Sequence, residues 1–214
     1  MIPDSNHSDL APVDLGKFTD VVRLADGRAL TIRFAEVDDA DALQTYFRGL
    51  SLETRYNRLM GGASELPPSE LDKAVHVGVH HLFALVAELQ VRDVSAIVGE
   101  VRYAFHPQSL TVEYGISVGD GFHGQGIASA MLSNLECRVA ALGATMLFGE
   151  TLRNNAPMVA LARKLDYAFR ASPNDWKQVR FEKTISTARE NIRCESWRIA
   201  ATNGMPQDWL AASA

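Results

Sequence analysis

A glycine-rich stretch in the middle of the chain decides its fold, and it reads Ile116-Ser-Val-Gly-Asp-Gly-Phe-His-Gly-Gln-Gly-Ile-Ala128. The pattern predicts a β-strand, a turn and then the start of a helix. Glycines allow backbone N–H groups to turn toward one point without clashes from Cβ atoms. A helix that follows adds unpaired N–H donors and the positive end of its dipole. Together these groups form a site for a phosphate or pyrophosphate, so the stretch predicts a phosphorylated cofactor.

The predicted elements on either side of this stretch indicate an α+β fold. Apolar and polar residues alternate on both sides of Asp26-Gly27, which predicts a β-hairpin with a two-residue turn. Residues 51–70, in contrast, look irregular. The other strands are predicted at residues 82–88, 97–105, 111–118, 145–151, 167–171 and 176–185. The helices are predicted at residues 38–50, 71–75, 127–142, 155–165 and 188–200. We therefore expect a mixed, mostly antiparallel sheet flanked by helices, with one βαβ crossover at the glycine-rich loop.

Length and composition limit the classes of protein to which the chain can belong. It has 214 residues, 47% of them hydrophobic, which suits one domain with a complete core. The net charge of −5 gives no sign of a nucleic-acid partner. No apolar run reaches the roughly 20 residues of a membrane span, and the first residues lack the order of a signal peptide. We expect no membrane partner and a cytoplasmic location.

The chain has two cysteines, Cys137 and Cys194. They form no Cys-x-x-Cys pair, which argues against a zinc site and against a disulfide framework, and reduced thiols fit the cytoplasm. A nucleophilic Cys137 would need a base partner and a lowered pKa, for which the sequence has no sign. Cys137 is therefore interpreted as an ordinary residue of a helix surface or core. No metal site is predicted.

The chain divides into three predicted regions. Residues 1–19 form an N-terminal arm, residues 20–185 the main domain and residues 186–214 a C-terminal extension. The extension carries Trp197 and Trp209, and its apolar character predicts that it packs on its own domain or on a neighbour. The second alternative leaves a homodimer open.

Two interpretations of the glycine-rich loop follow from its residues alone. Gly119-x-Gly121-x-x-Gly124 matches the dinucleotide fingerprint, and Glu150 ends a later strand, where a ribose-binding acid can lie. The helical pattern begins at Ile127 and further βαβ units are absent, which disfavours this interpretation. A P-loop is excluded because no Gly-Lys-Ser/Thr closes the turn. The other interpretation is an ordinary connection between strand and helix, without a ligand.

A third interpretation comes from a resemblance to a known family. His123-Gly-Gln-Gly-Ile-Ala128 resembles the acetyl-CoA signature of the GNAT N-acetyltransferases, Gln/Arg-x-x-Gly-x-Gly/Ala, with His123 as the departure. The resemblance extends over residues 21–184, and its other segments are Thr31-Ile-Arg33, Asp38-Asp-Ala40 and Asn155-Ala-Pro-Met158 through Lys164-Leu-Asp-Tyr167. Residues 50–59 and 98–114 are similar to the GNAT domain of bacterial Pat-type protein-lysine acetyltransferases. The resemblance implies transfer of acetyl from acetyl-CoA to an amine, on a protein lysine or a small molecule.

The resemblance also implies which residues hold acetyl-CoA. Backbone N–H groups of the loop bind the pyrophosphate, and the His123 ring adds a donor. The backbone of residues 116–118 pairs with the pantetheine arm like an added strand, and the Val118 N–H polarises the thioester. Asn155 caps its helix and contacts the arm. The implied cofactor-binding residues are Ile116, Ser117, Val118, His123, Gly124, Gln125, Gly126, Ile127, Ala128 and Asn155.

Two carboxylates are candidates for the general base that deprotonates the amine. Glu113 occupies the position where Pat-type domains carry their acidic residue, and strand alternation places it on one face with Gly115 and Ser117. Glu100 is the second candidate. Either can instead be a solvated strand residue. Many members carry a tyrosine acid where this chain has Ala162, so no tyrosine acid is expected.

Other functions remain open beside the transferase. The departures at His123 and Ala162 also fit a non-catalytic acyl-CoA-binding regulatory module. An NAD(P)-dependent oxidoreductase is a less favoured alternative. Arg55, Tyr56 and Arg58 follow the first helix, where the family builds the wall of its acceptor site, or else they belong to a plain solvated loop.

Overall fold

A computed structural model describes residues 15–173 and 175–210. Its strands are β1 (Asp20–Arg23), β2 (Ala29–Phe34), β3 (Leu82–Val91), β4 (Val94–His106), β5 (Thr111–Val118), β6 (Met146–Leu152), β7 (Ala168–Ala171) and β8 (Gln178–Thr184). Its α-helices are α1 (Ala40–Gly49), α2 (Leu52–Leu59), α3 (Pro68–Val75), α4 (Ile127–Ala141), α5 (Ala156–Lys164), α6 (Glu195–Asn203) and α7 (Gln207–Leu210). Most of the predicted N-terminal arm and the turn residue Asn174 lie outside the described residues.

The eight strands form one sheet in the order β1-β2-β3-β4-β5-β6-β8-β7. Every neighbouring pair is antiparallel except β5 and β6, which are parallel and are joined through α4. The predicted mixed α+β fold with one crossover is thereby confirmed. The predicted hairpin is present as β1 and β2, but its loop is longer than two residues, because the Leu24 N–H bonds the Arg28 carbonyl.

Strand alternation gives the sheet two buried faces. Leu30, Ile32 and Phe34 alternate along β2 and join the large core under α4 and α6. The opposite face carries a smaller core, in which Leu43 of α1 and Val86 of β3 are fully buried. The sheet is thus covered on both sides near its centre. None of the helices in the described part of the chain is long and apolar enough to cross a membrane.

The C-terminal extension completes the large core. Trp197 of α6 stacks on Phe18 with ring centroids 4.9 Å apart, and Trp209 packs edge-on to Phe34 with centroids 5.3 Å apart. The expectation that the extension packs on its own domain agrees with this arrangement. Its main helix begins at Glu195, seven residues later than expected.

A fully buried arginine of α4 joins this extension to the sheet. The Arg138 guanidinium donates to Asn134 Oδ1 (2.6 Å) and to the Phe18 carbonyl (2.9 Å), and it lies 3.7 Å from the Asp20 carboxylate. Its central carbon is 4.4 Å from the ring centroid of Trp197, whose Nε1–H donates to Asp20. Burial lowers the pKa of Arg138 to about 10, although the nearby Tyr103 and Asp20 side chains raise it. The side chain is therefore a cation at neutral pH.

The prediction that residues 51–70 are irregular is wrong over their first half. They begin with α2, and Ser51 caps this helix by accepting a hydrogen bond from the Thr54 N–H. Leu52, Tyr56 and Leu59 recur at helical spacing, but the helix is only eight residues long and none of them is buried, so the pattern is weak. The cap and the contact with the glycine-rich loop described below hold it in place.

The prediction against a disulfide is also wrong, because Cys137 of α4 and Cys194 before α6 are bonded. Their Cα atoms lie 5.9 Å apart, within the usual range for a disulfide. The 57 residues between them hide the pairing from sequence reasoning. Only the docking of the C-terminal extension on α4 brings the two thiols together.

Reduction of this disulfide is expected to lower the free energy of unfolding by about 2–4 kcal/mol, because the bond restricts the unfolded chain over a long loop. The measurement is the melting temperature with and without dithiothreitol. A Cys194→Ser variant is the control, and its melting temperature should not respond to the reductant. Identical melting temperatures for the oxidised protein and the variant would contradict the prediction.

Candidate functional site

A cleft opens where the two parallel strands separate. β5 and β6 pair at only three positions, Thr111 with Met146, Val112 with Leu147 and Glu113 with Phe148. Beyond them the strands diverge around a cleft of about 520 Å³. Gly149 lies at the point of separation, where a Cβ atom would be 2.8 Å from the Tyr114 carbonyl oxygen. Residues 114–118 therefore have a free backbone edge toward the cleft.

The glycine-rich loop closes one end of this cleft. Gly124 and Gly126 have positive φ values of 74° and 85°, which a residue with a Cβ adopts only with strain. Among the described residues, no backbone or side-chain acceptor receives the N–H groups of residues 124–128. Those of Ile127 and Ala128 are also the unpaired first-turn donors of α4. The loop thus offers converging donors to an anion, as a pyrophosphate site requires.

Two side chains of the loop hold its shape. The Gln125 Oε1 accepts from Arg28 of the β1–β2 hairpin (2.6 Å), and its Nε2 donates to the Gly121 carbonyl (2.9 Å). The His123 Nε2 lies 2.8 Å from the Val118 carbonyl. That ring nitrogen is used within the protein, so only Nδ1 remains for the predicted ring donor.

Replacing Gly126 by alanine is expected to raise the Kd of CoA about 5–30-fold, because a left-handed conformation costs an L-residue roughly 1–2 kcal/mol. Gly121→Ala is the matched control, since its Cβ would meet no atom within 4 Å and its φ is not positive. Calorimetric titration with CoA measures both. Equal Kd values for the two variants would contradict the role of the Gly126 conformation.

One carboxylate ties this loop to α2. Asp120 accepts hydrogen bonds from the Ser51 N–H, the Ser51 hydroxyl and the Thr54 hydroxyl, each at 2.7 Å. Burial opposes ionisation, but the bonds from Ser51 and Thr54 hold the pKa of Asp120 below its usual value. The loop at one end of the cleft and the helix that forms its wall are therefore one connected structure.

The second base candidate, Glu100, lies in a charged cluster under α2. Its side chain is 2% exposed and forms ion pairs with Arg102 Nε and, at 3.4 Å, with Arg58 Nε. Burial alone would raise the pKa of Glu100, but Arg102 and Arg58 together hold it below the usual range. Glu100 is therefore an ionised partner of two arginines. It pairs with Ser117 in the sheet, and the Ser117 hydroxyl lies 3.0 Å from Tyr46 OH.

The first base candidate, Glu113, is exposed on β5 and does not line the cleft itself. It is the last β5 residue paired with β6, so it stands where the two strands begin to separate. Asn155 lines the cleft from the other side. It caps α5 by accepting from the Met158 N–H (3.3 Å) and donates to Thr151 Oγ1 (2.9 Å).

The structure adds lining residues that sequence reasoning did not select. Tyr114 is buried beside the cleft, and burial raises the pKa of its phenol well above the usual value, so it stays protonated. Thr54 and Asn57 of α2 line the wall, while Ala162 is fully buried in α5. In residues 15–173 and 175–210, no group of His, Cys, Asp and Glu side chains is arranged to hold a metal ion.

A comparison with family models decides between the interpretations of the loop. The model of the acetyltransferase (GNAT) family matches residues 49–167, more than half of the chain. The chain belongs to the GNAT family. The family uses acetyl-CoA, so the predicted family and the predicted acyl donor are both confirmed.

Individual relatives agree with this assignment. The chain is 25% identical over 159 residues to acetyltransferase PA5475 of Pseudomonas aeruginosa, covering 74% of this chain and 86% of the relative. Its fold is similar to the GNAT domain of S. lividans PAT, with a TM-score of 0.72, 22% identity and coverage of 82% and 99%. The RimL ribosomal-protein alpha-N-acetyltransferase in complex with coenzyme A is similar at a TM-score of 0.62, 17% identity and coverage of 79% and 100%.

Proposed function

We propose that this GNAT member transfers an acetyl group from acetyl-CoA to a primary amine, on a protein lysine or on a small molecule. The cleft between β5 and β6 carries the proposal, because it combines a free strand edge with an anion-binding loop at one end. Residues 20–185 are proposed as the catalytic domain and residues 186–214 as an extension. A bacterial, cytoplasmic protein is part of the same proposal, but the disulfide between Cys137 and Cys194 removes the support that reduced thiols gave to the cytoplasmic location.

The backbone is proposed to hold the donor. Acetyl-CoA supplies an acyl group activated as a thioester. The N–H groups of residues 124–128 fit its pyrophosphate, since they converge and are unpaired among the described residues. Beyond Glu113 the outer edge of β5 has no partner strand, which suits an extended chain with amides that adds on like a strand. The Val118 carbonyl on this edge is already bonded by His123, so the other edge groups of residues 114–118 are the ones proposed to bind the arm. Asn155 faces the same cleft from β6 and α5.

Glu113 is proposed as the general base. The amine must lose a proton to become a nucleophile, and the base must return that proton to water. Glu113 is exposed, so proton exchange with solvent is open to it. Glu100 is buried and paired with two arginines, which suits a positioning residue that holds Arg58. No acid is required at Ala162 because a CoA thiolate is a good leaving group.

Two alternatives predict different binding and turnover. A regulatory module would bind acetyl-CoA without turnover. An oxidoreductase would bind NAD(P)H, but a sheet with one parallel pair lacks the repeated βαβ units of the dinucleotide fold. A chain that binds neither ligand would contradict all three functions.

The deciding experiment compares thermal shifts with acetyl-CoA, CoA and NAD(P)H, because a ligand of the native state raises its apparent stability. A panel of amines and lysine peptides then follows, with release of the CoA thiol as the readout. Stabilisation by acetyl-CoA together with turnover is the expected result. Stabilisation without turnover on any amine would favour the regulatory module, and stabilisation by NAD(P)H alone would overturn the proposal.

A further inference from the structure

An arginine of α2 lies across the floor of the cleft. A Cβ atom at Gly115 of β5 would be 2.8 Å from Arg58 Nη1 and 3.2 Å from its Cζ, so the missing side chain makes room for the guanidinium. The Arg58 side chain is only 12% exposed, and it lines the cleft. Gly115 adjoins residues 116–118, where the donor is proposed to lie. The cation therefore lies beside the segment proposed for the donor, at the end of that segment away from the glycine-rich loop.

Charge around this arginine is not balanced. Arg58 shares the Glu100 carboxylate with Arg102. Arg102 also lies 3.4 Å from Glu70, which itself pairs with Lys73 at 2.8 Å. Among the well-buried side chains, two guanidiniums therefore share one carboxylate, because Arg58 is 12% exposed, Arg102 15% and Glu100 2%, whereas Glu70 and Lys73 are more exposed. The cleft as a whole is also lined by Glu53, Asp120 and Glu150, so the excess of positive charge is local to Arg58. A buried cation in excess favours an anionic ligand.

The end groups of Arg58 are available to such a ligand. Its Nε is buried 3.4 Å from the Glu100 carboxylate and makes no hydrogen bond. Within the described part of the chain, Nη1 and Nη2 also donate no hydrogen bond to the protein, and the Arg58 side chain lines the cleft. Arg55, one turn earlier, differs because its Nη1 donates to the carbonyls of Arg48 and Leu50. A guanidinium with both Nη groups free matches the two oxygens of a carboxylate.

We propose that Arg58 binds a carboxylate carried by the acceptor, so the acceptor is an amine with a carboxylate close to the reacting nitrogen. The inference rests on the proposed acetyl transfer to an amine and names the class of that amine. The carboxylate can belong to a free amino acid-type molecule or to an acidic residue beside a lysine of a polypeptide. Glu100 holds the guanidinium over Gly115, and both are positioning residues in this scheme.

The test uses pairs of amines that differ only in the carboxylate. Free lysine, with both of its amines, is compared with lysinamide, and a capped lysine–aspartate peptide with the lysine–asparagine peptide. Calorimetric Kd values in the presence of CoA and kcat/KM with acetyl-CoA are measured for each. The carboxylate form is expected to be favoured about 10–100-fold in at least one pair, as for hydrogen bonds to a charged group. The pair that shows the preference identifies the source of the carboxylate.

Variants separate Arg58 from a general charge effect. Arg58→Gln should remove the preference while the Kd of acetyl-CoA stays unchanged, and Arg58→Lys should retain part of it. Arg48→Gln is the control, because it removes an exposed guanidinium that pairs with Glu65. If the Arg58 variants do not fold, the proposal is still tested by comparing the carboxylate and amide forms of each acceptor on the unaltered protein.

The outcomes distinguish a failure of the carboxylate site at Arg58 from a failure of the proposed acetyl transfer. Equal Kd values for acid and amide in both pairs would overturn the role of Arg58, whatever the turnover. A carboxylate preference in binding without turnover on any amine would support the Arg58 site and contradict the acetyl transfer. A preference that persists in Arg58→Gln would also overturn the inference.

Discussion

Replacing Glu113 by glutamine is expected to lower kcat/KM for acetyl transfer by about 10²–10⁴-fold, the usual contribution of a general base. Glutamine keeps the size of the side chain but cannot accept the proton of the amine. The exposed position of Glu113 means that the change should leave the fold and the Kd of acetyl-CoA intact. Initial rates of CoA thiol release measure the effect.

Two other carboxylates serve as comparisons for Glu113. Glu65→Gln removes an exposed charge outside the lining of the cleft, and its kcat/KM should stay within about twofold of the unaltered protein, since surface changes usually have small effects. Glu100→Gln should lower stability, because Arg58 and Arg102 lose a buried partner. Unaltered kcat/KM in Glu113→Gln would contradict its role as base. A stably folded Glu100→Gln variant that alone loses activity would transfer the role to Glu100.

Replacing Arg138 by alanine is expected to lower the free energy of unfolding by about 3–5 kcal/mol, as for the loss of one partner of a buried charged pair. The change removes the cation between the rings of Phe34 and Trp197 and leaves Asp20 without its arginine. Urea denaturation followed by tryptophan fluorescence measures the effect. The emission reports the same contact, because Trp197 is among the rings that lose their neighbour.

Matched substitutions test whether burial and charge cause this loss. Arg163 of α5 also lies over a ring, 5.5 Å from the centroid of Phe169, but it is exposed. Arg163→Ala should therefore cost no more than about 1 kcal/mol. Arg138→Met keeps most of the volume, so its difference from Arg138→Ala separates packing from charge. A loss under about 1 kcal/mol in Arg138→Ala would contradict a structural role for the buried cation.

Local patterns made much of the fold predictable. The strand, turn and helix of residues 116–128 depend on glycines and on the spacing of apolar residues. Both signals lie within one short stretch of the sequence. The hairpin at Asp26-Gly27 and the cap at Asn155 are local in the same sense. α2 escaped prediction because its stability depends on Asp120, 69 residues from the Ser51 cap.

One half of the candidate site was also predictable from local sequence, and the other half was not. Its donor half consists of backbone groups whose positions follow from glycines and a helix start, so the sequence indicated them. Its acceptor half depends on pairs that are distant in the chain, such as Arg58 with Gly115 and with Glu100. A charged residue of a polar helix gives no sign of such contacts in a single sequence. The disulfide and the Arg138 cluster were missed for the same physical reason.

The contact between the first strand and the C-terminal extension constrains how the chain reaches its native state. Trp197 bonds Asp20 across 177 residues, and Trp209 packs on Phe34. These non-local contacts form late, because the entropy of closing long loops must be offset before they stabilise anything. During synthesis residues 197–209 leave the ribosome after the sheet and α4, so the apolar side of α4 and the inner face of β2 stay uncovered until these residues emerge. The nascent chain therefore needs protection from aggregation during that interval.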